Sequence, residues 1–229
     1  MPSKARKAFN ENFVDIKRLL DIHNYVGGTL RGRRYDLEVL NKSAIVLITS
    51  YWEAYCEDIA AEGLEHIVKH SKLATVLPKE LKKQLANELK SDKNELALWL
   101  VADDGWRTLL STRLKKMQED RNKKLNSPKS NNIDSLFMTT LGIPNISDSW
   151  GWWPKMTPEK ARAKLDKYVD LRGAIAHRGK IAEKSVTKKQ VADYFKFINH
   201  LAARTGGMVN LYVDKITGIP LWTKKIIKN

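Results

Sequence analysis

The chain has 229 residues, 42% of them hydrophobic, which is enough to bury the core of one large domain. No apolar stretch approaches the roughly 18 to 20 residues needed to cross a bilayer, and no apolar segment follows the basic N-terminus as it would in a secretory signal. Cys56 is the only cysteine, which excludes an internal disulfide. We therefore expect a cytoplasmic protein without membrane association.

The charge is strongly basic and unevenly distributed. Forty-one Lys and Arg face 26 Asp and Glu, a net charge of +15. Residues 35–70 carry seven acidic and two basic side chains, whereas basic residues concentrate in 105–131 and 154–190. Such an excess favours binding of a polyanion through counterion release. The alternative is a lysine-rich surface that only keeps the protein soluble.

Helical periodicity dominates the sequence. The spacing of apolar residues predicts helices over 4–22, 35–70, 78–89, 95–102, 105–125, 132–141, 158–178 and 187–204. After them, the alternation of Val209, Leu211 and Val213 indicates a small hairpin. No domain boundary is evident, so we expect a single domain over 1–229, with a core at about 35–204, an N-terminal helix at 4–22 and a C-terminal extension at 205–229.

The helix predicted over 158–178 carries an unusual basic residue. Thr157 suits its N-cap and Pro158 its first turn. Arg172 falls on the same stripe as its apolar residues, namely Ala161, Leu165, Tyr168, Ile175 and Ala176. A guanidinium directed at a core costs several kcal/mol unless it is paired or hydrogen-bonded. Arg172 therefore marks a candidate site.

His177 is the second candidate on this helix. It follows Arg172 by five residues, which on a regular helix means about 7.5 Å along the axis and about 140° around it. A regular helix does not bring the two side chains together. Either the helix is distorted near Gly173, or the pair acts across an interface with a second copy of the chain.

The segment Leu171 to Gly179, which contains both residues, resembles the Arg-x(4–6)-His signature of the HEPN superfamily. More specifically, the chain resembles the RiboL-PSP-HEPN type of domain. Residues 50–55, Ser-Tyr-Trp-Glu-Ala-Tyr, are similar to the Trp-Glu-x-Tyr region of that group. Residues 131–143, followed by Trp150, resemble its middle section. The order of these features agrees from about residue 35 to 204.

This resemblance implies an all-α, HEPN-like bundle of about four core helices, here with inserted helices and a short C-terminal extension. It also implies a homodimer whose paired motifs line a cleft, and a ribonuclease that needs no cofactor or metal ion. In that chemistry the 2′-hydroxyl of the RNA attacks the adjacent phosphate. Histidine exchanges protons near neutral pH, which suits His177 as catalytic base. Arg172 would contact the phosphate oxygens, and Arg178 would hold a flanking phosphate.

The resemblance further implies an RNA-targeting role in stress response or phage defence, as a toxin with a partner protein or antitoxin. One departure concerns Gly173, because catalytic members tend to carry a polar residue after the arginine. Position 179 is also glycine rather than tyrosine, so tyrosine modification is not implied. The alternative hypothesis is a non-catalytic HEPN module that binds RNA, a nucleotide or a protein. A basic helical DNA-binding protein is a third, although no helix-turn-helix spacing is evident.

Further residues are candidates for supporting roles. Glu53 would pair with Arg172 and orient it, or would form an exposed acidic face or a purely structural ion pair. Basic and aromatic candidates for RNA contact are Arg121, Lys123, Lys124, Lys180 and Trp152.

Two clusters have a functional and a structural interpretation. Trp150, Trp152 and Trp153 could stack on bases, but such a cluster more often covers one end of a helical core, which we favour. His66 and His70 have metal-ligand spacing but lack further ligands, so no metal site is predicted.

Overall fold

Helices make up nearly all the regular structure of the computed structural model, which describes residues 3–27, 37–119, 127–152, 154, 156–178 and 185–223. The α-helices are α1 (Lys4–Gly27), α2 (Glu38–His70), α3 (Lys79–Lys90), α4 (Gly105–Glu119), α5 (Ser130–Leu141), α6 (Pro158–Arg178) and α7 (Lys188–Thr217). Short 3₁₀ segments lie at Ala74–Val76, Glu95–Val101 and Ile146–Ser149. The β-structure of the described residues is one bridge, between Trp152 and Met156. The expectation of an all-α bundle is thus confirmed.

Helix α2 is the centre of the bundle. It packs against α1, α4, α5, α6 and α7. The sequence predicts one apolar stripe on this helix, but residues outside that stripe, among them Ile45, Trp52 and Cys56, are also fully buried. A helix that is apolar on most of its faces is typically surrounded by others. These five helices are therefore arranged around α2, and α3 packs against α5.

Helix α1 packs along α2 through residues spaced at three and four, namely Ala5, Phe9, Phe13 and Ile16, all buried. Its N-terminus is held by α2. The Glu62 carboxylate accepts hydrogen bonds from the backbone N–H groups of Lys4 (3.0 Å) and Ala5 (2.9 Å). A carboxylate at this end satisfies free N–H groups and complements the helix dipole.

The predicted C-terminal hairpin is wrong, because α7 continues to Thr217. The buried side chains beyond 204 recur at helical spacing, at Thr205, Val209 and Val213, whereas Leu211 is 61% exposed. The apparent alternation of apolar residues was therefore part of a helical pattern. The start of α7 agrees with prediction: Thr187 forms a capping box with Gln190.

Other predicted boundaries differ slightly. The segment after Asn94 is a 3₁₀ helix, and α5 begins two residues earlier than expected, at Ser130. The described part of α4 ends at Glu119, so the predicted continuation to 125 lies outside the described residues. None of the described helices combines the length and apolar character that membrane crossing requires.

Candidate functional site

Helix α6 runs without interruption from Pro158 to Arg178. Thr157 Oγ1 accepts a hydrogen bond from the backbone N–H of Lys160 (3.3 Å), as its predicted N-cap role requires. Because the α-helix continues through Gly173, the predicted alternative of a distortion at this residue is wrong. Arg172 and His177 are therefore separated as on a regular helix, by about 7.5 Å along the axis and about 140° around it.

Polar contacts hold the middle of α6 against α5. Asp166 accepts hydrogen bonds from the backbone N–H (2.8 Å) and the hydroxyl (2.9 Å) of Ser130, the first residue of α5. One turn further along α6, Asp170 forms an ion pair of 2.6 Å with Lys129. These contacts lie within two turns of Arg172 and limit the movement of this part of α6.

Arg172 projects from α6 toward α2 and α7 and is half-buried. Its Nε is buried and has no hydrogen-bond partner among the residues that the structure describes. Its positive charge acts on Glu53 of α2 and on Tyr194 of α7. A buried donor without a partner costs about 1 to 3 kcal/mol, which makes Arg172 an energetically unfavourable residue at this position.

Glu53 is half-buried and lies near Arg172, as its predicted supporting role requires. Burial raises the pKa of Glu53 above its ordinary value, and the Arg172 charge offsets this only in part. No ion pair within 4.0 Å joins the two side chains in the described part of the chain. The interaction is therefore a longer-range attraction, and the orienting role of Glu53 stays a prediction.

Tyr194 completes the surroundings of Arg172 and was not among the predicted site residues. Its hydroxyl lies 3.0 Å from Thr49 Oγ1, and Thr49 donates its single proton to the Ile45 carbonyl (2.9 Å). Both contacts are satisfied when the Tyr194 hydroxyl donates to Thr49. The Arg172 charge acts on this hydroxyl.

The ring of Tyr194 is also held in place. It stacks on Tyr168 with the ring centroids 3.9 Å apart and an interplanar angle of 11°. Tyr168 lies one turn before Arg172 on α6, so Tyr194 lies beside the turn of α6 that precedes Arg172. A signal for this residue was present in the sequence, since Tyr194 falls on the inward stripe of its helix and a buried tyrosine hydroxyl needs a partner.

His177 lies in the last turn of α6 and is exposed, as is Ala176. The exposure of Ala176 shows that the apolar stripe of α6 leaves the core before the helix ends. Between Arg172 and His177 lies Gly173, where an added Cβ would have no neighbour within 4 Å among the described residues. One copy of the chain thus places Arg172 toward the core and His177 on the outside, beside an open flank.

The other predicted RNA contacts are only partly described. Arg121, Lys123, Lys124 and Lys180, and the side chain of Arg178, lie outside the described residues. Trp152 is half-buried, and its ring stacks on His200 with the centroids 5.0 Å apart. One face of the Trp152 ring is thus covered by His200, and a contact of this residue with RNA stays a prediction.

Trp150 lies deeper than Trp152. It is fully buried, and its Nε1 donates to Thr205 Oγ1 (2.9 Å). This is the arrangement expected of a residue that covers the helical core, and Trp153 lies outside the described residues.

The rings of His66 and His70 lie 4.3 Å apart at the end of α2. His66 Nε2 is 3.0 Å from the Ile219 carbonyl oxygen, and burial lowers the pKa of His66. Within the described ranges, no group of three or more His, Cys, Asp or Glu is arranged to hold a metal ion. The pair has a packing role here, because His66 ties the segment after α7 to α2.

Comparison with known proteins identifies a family. A family model described as RiboL-PSP-HEPN matches residues 10–209, which span α1 to most of α7. Comparisons with curated proteins and with solved structures give no match. The matched region contains Glu53, Arg172, His177 and Tyr194 and covers most of the 229 residues. The chain therefore belongs to the RiboL-PSP-HEPN family.

Proposed function

We propose that this protein is an endoribonuclease that cleaves RNA without a metal ion, with Arg172 and His177 as its catalytic residues. The observation that carries the proposal is the state of Arg172. It is a half-buried guanidinium whose Nε lacks a partner among the described residues, and it lies on a helix whose last turn exposes a histidine. Phosphate bound by this guanidinium would offset part of the cost of burying its charge. The net charge of +15 favours the approach of RNA.

The reaction requires only groups that the RNA and these two residues supply. His177 accepts the proton of a 2′-hydroxyl, and the resulting oxygen forms a bond to the adjacent phosphorus. The bond between phosphorus and the 5′-oxygen breaks. This oxygen takes the proton from His177, which the first step has protonated. The products are a 2′,3′-cyclic phosphate and a free 5′-hydroxyl. Arg172 stabilises the negative charge that develops on the non-bridging oxygens.

The separation of the two residues on α6 requires a second copy of the chain. They point about 140° apart on a regular helix, and α6 is regular from Pro158 to Arg178. Arg172 of one copy and His177 of the other would therefore act on the same phosphate. The exposed His177 and the open flank at Gly173 leave room for such an approach. The resulting homodimer has one cleft with two composite sites.

The first test is cleavage of total RNA and of a tRNA mixture in EDTA. We expect the wild type to cut and His177→Ala to be inactive. His70→Ala is the matched control, because His70 lies roughly 25 Å along α2 from Glu53 and should leave cleavage unchanged. Cleavage that persists in His177→Ala, or that EDTA abolishes, would contradict the proposed chemistry.

The composite site is tested by mixing two inactive variants. A heterodimer of Arg172→Gln and His177→Ala contains one site with both residues intact. If half of the dimers are heterodimers, and each of these has one of its two sites intact, activity should return to about a quarter of the wild-type value. Sedimentation should give twice the 26.2 kDa chain mass. A monomer, or a mixture without activity, would exclude the composite site.

A second candidate function is an RNA-binding HEPN module without catalysis. It is favoured by Gly173, since the open space beside it holds no polar group where catalytic members tend to carry one. RNA that is retained in a gel shift but not cut would support this function. The variant Gly173→Asn would then show whether a polar group at this position restores cleavage.

A further inference from the structure

A surface groove runs along α6 to the start of α7, on the side of α6 away from Gly173. Its volume is about 530 Å³, within the range of small-molecule sites. The floor is apolar and is formed by Tyr168, Leu171 and Ala174. Because one face of the Tyr168 ring is covered by Tyr194, only the remainder of this ring faces the groove. A planar molecule that packs against such a floor would exclude water from the contact.

The rim of the groove is positively charged. Lys164 and Lys167 both line it. Lys164 Nζ lies 4.7 Å from the centroid of the Phe197 ring, which orders this side chain. Asp170, the acidic residue among the described lining residues, is engaged by Lys129 at 2.6 Å. The groove therefore presents two positive charges beside an apolar surface.

A hydrogen-bonding group completes the lining. The side-chain oxygen of Gln190 accepts from the backbone N–H of Thr187 at 2.8 Å, which fixes the orientation of the amide. Its NH₂ group has no hydrogen-bond partner in the described part of the chain. An apolar floor, a fixed amide donor and two cations match the base and phosphate of one nucleotide.

The groove lies along the same turns of α6 as the proposed catalytic residues, on a different side of the helix. Tyr168 lies one turn before Arg172, and Ala174 lies three residues before His177, about 4.5 Å along the helix axis. We propose that this groove is a subsite that binds a nucleotide flanking the cleavage site in single-stranded RNA. This inference rests on the proposed function for its substrate. A protein partner fits less well, because lysine is depleted at protein–protein interfaces.

The test is RNA binding in the His177→Ala background, where the probe is not cut. Anisotropy of a labelled uridine hexamer is measured over a range of salt concentrations. Each phosphate contact with a single strand contributes about 0.7 to the slope of log K against log salt. Because the groove holds one phosphate, Lys164→Gln combined with Lys167→Gln should lower the slope by about 0.7, and Lys164→Arg should keep the wild-type slope. The matched control is Lys160→Gln with Lys196→Gln, which changes two exposed lysines outside the groove.

The base contact is tested separately. A hexamer with one abasic position should bind the His177→Ala protein roughly tenfold more weakly than the intact hexamer, as loss of one base stack predicts. Ala174→Trp fills the groove and should weaken binding of the intact hexamer to a similar extent. Circular dichroism verifies that each variant is folded.

The outcomes separate this inference from the proposed function. If the wild type cuts RNA but the groove variants match the lysine control, the subsite is excluded and the nuclease remains. If RNA is bound through the groove but never cut, the subsite remains and the nuclease is excluded. Groove variants that change the sedimentation of the protein and leave the RNA affinity unchanged would identify a protein interface and overturn the subsite.

Discussion

The open flank at Gly173 can be tested by adding a single methyl group. In Gly173→Ala, the new Cβ would have no neighbour within 4 Å in the part of the chain that the structure describes, so we expect no packing cost. Glycine inside a helix is less favourable than alanine by roughly 0.5 to 1 kcal/mol. We therefore expect Gly173→Ala to raise the free energy of unfolding by about 0.5 to 1 kcal/mol, or the Tm by about 1 to 4 °C for a domain of this size.

Helix α7 provides two matched controls at adjacent positions. A Cβ at Gly207 would also have no described neighbour within 4 Å, so Gly207→Ala should stabilise the protein to the same extent. A Cβ at Gly206 would instead overlap the Tyr55 hydroxyl, which donates to the Ala202 carbonyl at 2.8 Å. Overpacking costs about 1 to 3 kcal/mol and loss of this buried hydrogen bond a similar amount, so Gly206→Ala should destabilise the protein.

The assay is urea denaturation of the three variants beside the wild type. A shift of the midpoint at constant m-value reports a change of stability alone. If Gly207→Ala stabilises the protein while Gly173→Ala destabilises it, the flank at Gly173 is not open in solution. Sedimentation of Gly173→Ala would then show whether a second copy packs against this position, because the methyl group would weaken the dimer.

Two further predictions concern Glu53 and Trp150. Because burial raises the pKa of Glu53 in the folded state, its charged form is unfavourable above that pKa, and the cost disappears as the pH falls through it. Glu53→Gln should therefore be more stable than the wild type at pH 7 but not near pH 4. Urea denaturation at both pH values measures this difference. Lower stability of Glu53→Gln at pH 7 would mean that the attraction of Glu53 to Arg172 outweighs the cost of its burial. Trp150→Phe should lower the free energy of unfolding by about 1 to 3 kcal/mol, since it removes the buried hydrogen bond to Thr205. Trp152→Phe should lower it less, because Trp152 is half-buried. Equal losses in thermal denaturation would contradict this assignment.

Much of the fold could be predicted because helix formation leaves local signals. The spacing of apolar residues predicted most of the helices, and Thr157 and Thr187 marked two of their starts. Periodicity failed at the end of α7, where two glycines and alternating apolar residues imitate a strand. Only the packing of Gly206 against Tyr55 explains why glycine is needed inside this helix.

The sequence by itself determined the all-α class, the family and the unusual position of Arg172 on an apolar stripe, because these depend on local spacing and residue type. The tertiary structure decided what surrounds that arginine. Tyr194 and Thr49, whose hydroxyls meet 3.0 Å apart, are separated by 145 residues, and no local pattern relates them. The packing of α2, α6 and α7 also turns Arg172 inward and leaves His177 exposed. Which side of a helix meets its neighbours is decided by the assembled core, so the separation of these two residues becomes visible only there.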